Sequence, residues 1–585
     1  MFRHVLSVLA IFALLLQPAQ AWAGEELLIE LSLAEDGALL VAYTPPAGVS
    51  ELSRWNRSPA AREFWRDQVK SLDNCASVDG DVVRLRSDPA CRTARLRVQP
   101  KLLARNATYE AAQPISDTGV IAYSSYYAVA LGGHALRWRW LAPQGGYVLQ
   151  GGRVQRQFAE QVGDAGAVAD SLARSSKAEG ASQQIGATQY AYLGRAPLVE
   201  VAGGFIVRDP ALDDARLAVI REALERNLQD LGQAYGVALP GPVGVVTSVA
   251  DLNGFHGDTS DGRMMRLRLV PALKDQDQDH LGLQQFMAHE VVHWWNMGVR
   301  HSDAARPWLH EGHAEWAALL LLRQRGLPGD PALLAQMETR VNRCLLARGD
   351  LAAVALAPGY SANEDPYACG FSLMLTAQAQ AEARRKPGDQ RSPLQLLAGL
   401  HPADAVLDAA GFASWADGAS YGPMHKLLLD PTQGFASGLT AHLQALGLAQ
   451  AQPLAQADRG NRSRAAGTLF AALMRSDCGG AGFWTRLEAE AGHFHLDDMH
   501  GQCTSLREGA DVLAIEGQAL IADPGAAWHA LQAACASRRT LSISYLHGDP
   551  TVMACPSALP PMPPHDVIRL RPEALPLLGL AEPRK

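Results

Sequence analysis

A chain of 585 residues is too long for one hydrophobic core, so about three domains are expected, each burying its own interior. Hydrophobic residues at 48% and charged residues at 19% exclude a disordered chain and a multi-span membrane protein. A formal net charge of -8 removes any general electrostatic reason to bind nucleic acid or anionic lipid.

At the N-terminus, Arg3 and His4 precede an apolar run from Val5 to Leu16, followed by Pro18 and the small-residue patterns Ala19-Gln20-Ala21 and Ala21-Trp22-Ala23. This is the pattern of a cleaved secretory signal over residues 1–23, with an apolar run too short to span a bilayer. The expectation is an exported protein, periplasmic or secreted, with no integral membrane segment after cleavage. Export makes disulfides the default state of the eight cysteines. They fall in four sequence-local pairs: Cys75 with Cys91, Cys344 with Cys369, Cys478 with Cys503, and Cys535 with Cys555.

From Glu25 to about Leu193 the pattern has mostly period two and many turn signals, which predicts a β-rich N-terminal domain over 24–195. Leu27–Leu33 and Ala38–Tyr43, joined through Glu35-Asp36-Gly37, read as a hairpin. A second domain, 196–450, opens with strands at Leu198–Val207 and Val243–Val249 around a helix from Leu212 to Tyr235. It continues with helical spacing at Leu281–Met297, Trp308–Arg325, Pro331–Ala347, Gly370–Arg384 and Pro393–Leu400. Ala449 to Arg464 reads as a linker, and 465–585 as a C-terminal α+β module with strands at Val512–Ile515, Thr540–Tyr545 and Val552–Ala554.

The chemistry concentrates in His289-Glu290-Val291-Val292-His293. Spacing of i and i+4 puts both imidazoles on one helical face, where two ring nitrogens can bind the same zinc ion, one per chain. Glu290 is then not a ligand but the base toward the water that zinc activates. A third ligand is needed, and the metzincin register fails because Asn296 and Val299 occupy the positions that require Gly and His. Glu311, in Trp308-Leu309-His310-Glu311-Gly312 at the start of the next amphipathic helix, is the better choice. Glu315, one turn later on the same face, is placed to accept a hydrogen bond from a ligand histidine. His310 and His313 cannot share the face of Glu311 and read as pocket rim or core. Asp275, Asp277 and Asp279 do not make a calcium loop, since His280 holds the position that requires Gly; they read as a polar loop ending in a helix N-cap.

These stretches resemble the gluzincin metallopeptidases. His289–His293 with Trp295-Asn296 is similar to the HExxHxWN of the glycyl aminopeptidase family. Trp308–Gly312 is similar to the WLxEG segment that carries the third zinc ligand there and, more distantly, in the aminopeptidase N family. Pro366-Tyr367-Ala368-Cys369-Gly370 resembles the segment whose tyrosine hydrogen-bonds the oxyanion, which assigns that role to Tyr367. The resemblance implies an α+β multidomain protein: the β-rich N-terminal domain, a mainly helical thermolysin-like catalytic domain with a small edge sheet, and a C-terminal α+β module for which a PDZ-like fold is one reading. It also implies a peptide or protein substrate lying along an edge strand near Met264–Val270. No glutamate in Asn253–Asp258 or Arg263–Leu267 matches the family's grip on a substrate amino terminus, so amino- and endopeptidase action both stay open.

The function expected is therefore an exported zinc peptidase. The rival is a non-catalytic periplasmic peptide-binding or scaffold protein on the same frame. Oligomeric state has no sequence signal.

Overall fold

The computed structural model describes residues 26–57, 59–101, 110–130, 134–163, 189–250, 256–260, 263–271, 275–296, 300–301, 307–353, 366–400, 406–419, 421–478, 484–488, 492–497 and 503–581. The leader-like segment 1–23 lies outside them. The architecture is mixed α+β, with a β-rich N-terminal region followed by a mainly helical part, and it divides into two compact units. One unit runs to Arg221 and includes Pro240–Gln276; the other comprises Glu222–Leu239 and the chain from Asp277 onward.

In the first unit, alternation decides which face each strand buries. In Glu26–Leu33 the residues Leu27, Ile29 and Leu31 point inward, and the strand pairs antiparallel with Leu39–Thr44 and parallel with Ala135–Leu141. Trp138 and Trp140 from the last of these are fully buried and stacked, with ring centroids 5.9 Å apart. These strands belong to a six-stranded sheet accompanied by a four-stranded and a five-stranded one. A helix, α1 (Pro59–Gln68), interrupts the strands within the stretch whose pattern is mostly of period two.

A further five-stranded sheet contains the predicted strands. Leu198–Val201 and Gly204–Val207 form a hairpin, and Val243–Val249 returns parallel to the latter after helix α2 (Asp214–Tyr235). This is a β–α–β unit, and its inner strand Val243–Val249 is a near-continuous apolar run because both faces are covered. The sheet order corrects one expectation. Met264–Leu269 is not an edge strand: it is buried along its length between Val243–Val249 and His256–Ser260. His256–Ser260, to which the sequence pattern assigns no element, pairs antiparallel with it, with Arg263 at φ 57° just before Met264, and takes the edge.

The second unit is built on α3 (Gln276–Asn296), α4 (Pro307–Gln324), α5 (Asp330–Arg348) and α6 (Pro366–Ala383). Asp277 and Asp279 lie within the first turn of α3, where they favour the helix dipole, rather than in a loop before it. Helices α4 and α6 pack against each other, and two glycines leave room for their backbones to come close. A Cβ on Gly312 would stand 2.2 Å from Cα of Gly370, and a Cβ on Gly370 would stand 2.1 Å from the carbonyl oxygen of Trp308. Both glycines come from the sequence segments that carry Glu311 and Tyr367. The Cys344–Cys369 disulfide fastens α5 to the first turn of α6, with Cα atoms 4.7 Å apart.

Four further helices follow: α7 (Pro393–Ala398), α8 (Ala409–Asp417), α9 (Pro423–Leu429) and α10 (Phe435–Ala445). The stretch read as a linker is ordered structure. Ala449–Pro453 pairs with Asp566–Leu570, and α11 (Arg459–Cys478) follows, burying Ala466, Leu469, Phe470 and Leu473. Beyond it, a hairpin of Trp484–Glu488 and His493–Asp497 continues through Asp511–Ile515 to Thr540–Tyr545 and Thr551–Ala554. Helix α12 (Pro524–Ser537), capped by Asp523, packs on that sheet. All four disulfides join the pairs read from sequence, as an oxidising compartment favours. Among the described residues no helix is long and apolar enough to cross a membrane.

Candidate metal centre

Helix α3 presents His289 and His293 in its last two turns, where His289 through Trp294 are all buried. Helix α4 brings Glu311 to the same point. The Nε2 atoms of the two histidines are 3.1 Å apart, and Oε2 of Glu311 stands 3.3 Å from one and 3.4 Å from the other. Among the described residues, His289, His293 and Glu311 form a group able to converge on one ion without cysteine. The other such group includes Cys478 and Cys503, which are bonded to each other.

The spacing matches what zinc requires. A tetrahedral ion about 2.0–2.1 Å from each donor holds those donors roughly 3.3–3.4 Å apart. Two imidazoles and one carboxylate are also a common zinc donor set, and three protein donors leave one position for water or substrate. Electrostatics point the same way. Burial opposes charge on both His289 and Glu311, yet the Glu311 and Glu315 carboxylates drive the His289 ring's pKa well above its usual range, and His293, with contacts to both histidines, drives the Glu311 carboxyl's well below. With Glu290 and Glu315 beside them, the cluster concentrates negative charge that calls for a cation.

Glu315 lies beside His289. Its Oε1 is 3.3 Å from Nδ1 of His289, and its Oε2 accepts from Nε of Arg340 at 3.0 Å. Burial raises the carboxyl's pKa, but the His289 contact and Arg340 outweigh that and bring it down to about 2. An ionised Glu315 can only accept, so it faces the Nδ1 edge of His289 while Nε2 points to Glu311 and His293.

Tyr367, in the first turn of α6, lies beside the His289 ring with centroids 5.8 Å apart and is 38% exposed, so it faces accessible space. Glu290 is buried, next in sequence to His289. His310 stacks on the His293 ring at 4.3 Å, and His313 is fully buried with its Nε2 bonded to the hydroxyl of Tyr235. Neither belongs to the donor triangle; His310 packs against it through His293. Two contributors carry little sequence signal. Arg340 arrives from α5, and no local spacing links it to Glu315. Asn296 appears in the sequence only as a motif letter, although three residues after His293 is a same-face helical position.

No family model matches this sequence, and no curated protein matches it. Among solved structures, the chain is similar to an aminopeptidase N family protein from Idiomarina loihiensis. The TM-score is 0.56 at 14% identity, over 95% of this chain and 100% of that one. An aminopeptidase A from Legionella pneumophila, in complex with aspartic acid, aligns with TM-score 0.40 at 10% identity, over 70% of this chain and 49% of that one. Yeast LTA4 hydrolase in complex with Bestatin aligns with TM-score 0.36 at 13% identity, over 70% and 68%. The likeness to the Idiomarina protein is one of fold.

Proposed function

We propose that the chain is an exported zinc metallopeptidase of gluzincin type, with motifs resembling those of the glycyl aminopeptidase family. The single observation that carries this reading is the donor triangle of His289, His293 and Glu311, with edges of 3.1 to 3.4 Å, flanked in sequence by Glu290. Its shared fold with an aminopeptidase N family protein supports it. In this reading a leader at 1–23 precedes the β-rich domain 24–195 and a catalytic domain that begins at 196, and a PDZ-like module ends the chain. Four disulfides support export to the periplasm or medium.

His289, His293 and Glu311 hold the zinc. Bound there, zinc supplies Lewis acidity that lowers the pKa of water toward neutrality and polarises a carbonyl. Glu290 takes the proton from the attacking water and passes it to the departing amide nitrogen. The Tyr367 hydroxyl donates a hydrogen bond to the charge developing on the carbonyl oxygen. Glu315, held by Arg340, keeps His289 oriented, and the Cys344–Cys369 bridge two residues from Tyr367 limits how far that side chain can drift.

Peptide amides with free and with blocked amino termini test the proposal and separate amino- from endopeptidase action. Cleavage of either substrate by wild type, lost in Glu290→Gln, is the expected result. A Glu290→Gln variant with wild-type turnover would refute the mechanism, and no cleavage by a zinc-loaded wild type would favour the peptide-binding rival.

A further inference from the structure

We infer that Asn296 is the positioning residue that fixes the ring proton of His293 and so aims its Nε2 at the metal, an inference that rests on the zinc-centre reading above. The two ends of the Asn296 amide are told apart by their neighbours. Its Nδ2 lies 3.0 Å from the backbone oxygen of His310, which can only accept. Oδ1 must therefore face His293, where it stands 3.1 Å from Nδ1. An amide oxygen also only accepts, so Nδ1 carries the proton and Nε2 keeps its lone pair. That Nε2 is the atom 3.1 Å from Nε2 of His289 and 3.4 Å from Oε2 of Glu311. Asn296 is fully buried, so water does not compete for either hydrogen bond.

The same side chain ties two ligands together. Its oxygen holds the last turn of α3, which carries His293, and its nitrogen holds the first turn of α4 one residue before Glu311. One amide therefore sets both the tautomer of the second ligand and the position of the third across the connection between the helices. The two histidines are oriented by different chemistry: His289 by a carboxylate that Arg340 pairs, His293 by a neutral amide. A neutral partner orients the ring without adding to the negative charge of Glu290, Glu311 and Glu315.

The test is the zinc dissociation constant of the full chain, measured by competition with a chromophoric chelator, together with the visible spectrum of the cobalt-substituted protein. Asn296→Leu keeps the volume and removes both polar ends. Its zinc affinity is expected to fall about 10–100-fold, with shifted cobalt bands. Asn296→Asp keeps an acceptor for Nδ1 but loses the donor to the His310 backbone oxygen, so its cobalt bands should stay closer to wild type, and its zinc affinity should fall less, than in the leucine variant. A leucine variant with wild-type affinity and spectrum overturns the inference, as does an aspartate variant as weak as the leucine one. If the leucine variant does not fold, the aspartate variant decides: cobalt bands that keep the wild-type pattern support the inference, and shifted bands overturn it. A folded wild type that binds no zinc overturns the zinc-centre reading itself and the inference with it. Tight wild-type binding left unchanged in Asn296→Leu overturns the inference alone.

Discussion

Adding one methyl group at Gly370 should cost this protein activity out of proportion to its size. A Cβ at 370 would meet the Trp308 carbonyl oxygen at 2.1 Å, Cα of Gly312 at 2.6 Å and N of Gly312 at 2.8 Å. All three are backbone atoms of α4, so no side-chain rotation can relieve the clash. Restoring ordinary contact requires α4 and α6 to part by about 1 Å. Overpacking of this kind costs about 1–3 kcal/mol of stability. The larger effect is catalytic, because α4 carries Glu311 and α6 carries Tyr367, and a misplacement of about 1 Å can lower turnover about 100-fold. The assay is kcat/KM on a peptide amide beside a thermal melt and zinc content. Gly370→Ala should remain folded, melt lower and lose most of its turnover. A variant within about twofold of wild-type kcat/KM, with an unchanged melt, would show that the crossing does not position the site.

Three further outcomes are expected. Tyr367→Phe should lower kcat about 100- to 1000-fold with little change in KM or zinc content, checked by steady-state kinetics and mass spectrometry; a wild-type kcat would remove Tyr367 from oxyanion stabilisation. Replacing Cys344 and Cys369 by serine should remove about 3 kcal/mol of chain constraint and reduce turnover without stripping zinc, and unchanged turnover would show that the bridge does not support Tyr367. Gly232→Ala in α2, where the added methyl meets nothing within 4 Å, should stabilise the protein by up to about 1 kcal/mol and leave kinetics unchanged. It is the control for Gly370, since the same chemical change has the opposite effect where a neighbouring backbone is absent.

Much of the site was legible because its residues are tied by helical spacing. His289 and His293 are one turn apart, and so are Glu311 and Glu315, so each pair shares a face whatever the tertiary packing. Meeting of the two pairs depends on the α3–α4 arrangement, which the amphipathic helix opening at Trp308–Gly312 suggested and the resemblance supported. Arg340 could not be read, because it reaches Glu315 from α5 and no periodicity crosses helices. The edge strand was misplaced for a similar reason. Met264–Leu269 is buried along its length, Arg266 and Arg268 included, because His256–Ser260 pairs along its outer edge and Asp258 meets Arg266, and the latter strand carries Gly, Asp, Thr and Ser, which look like loop residues. Ala449–Arg464 looked like a linker because Ala and Gln alternate weakly at Ala449–Pro453, whose strand character is supplied by pairing with the far-downstream Asp566–Leu570. The four disulfides were legible because every bridge closes a local loop, with separations of 16 to 25 residues.

The central claim, that three side chains from two helices hold one zinc ion and a fourth performs the proton transfer, is tested most directly by metal content. Mass spectrometry on the purified mature protein should find about one zinc per chain. His293→Ala and Glu311→Ala should lose it, whereas Glu290→Gln should keep it and be inactive on peptide amides. A wild-type protein that folds, with its four disulfides formed, yet binds no zinc would contradict the account.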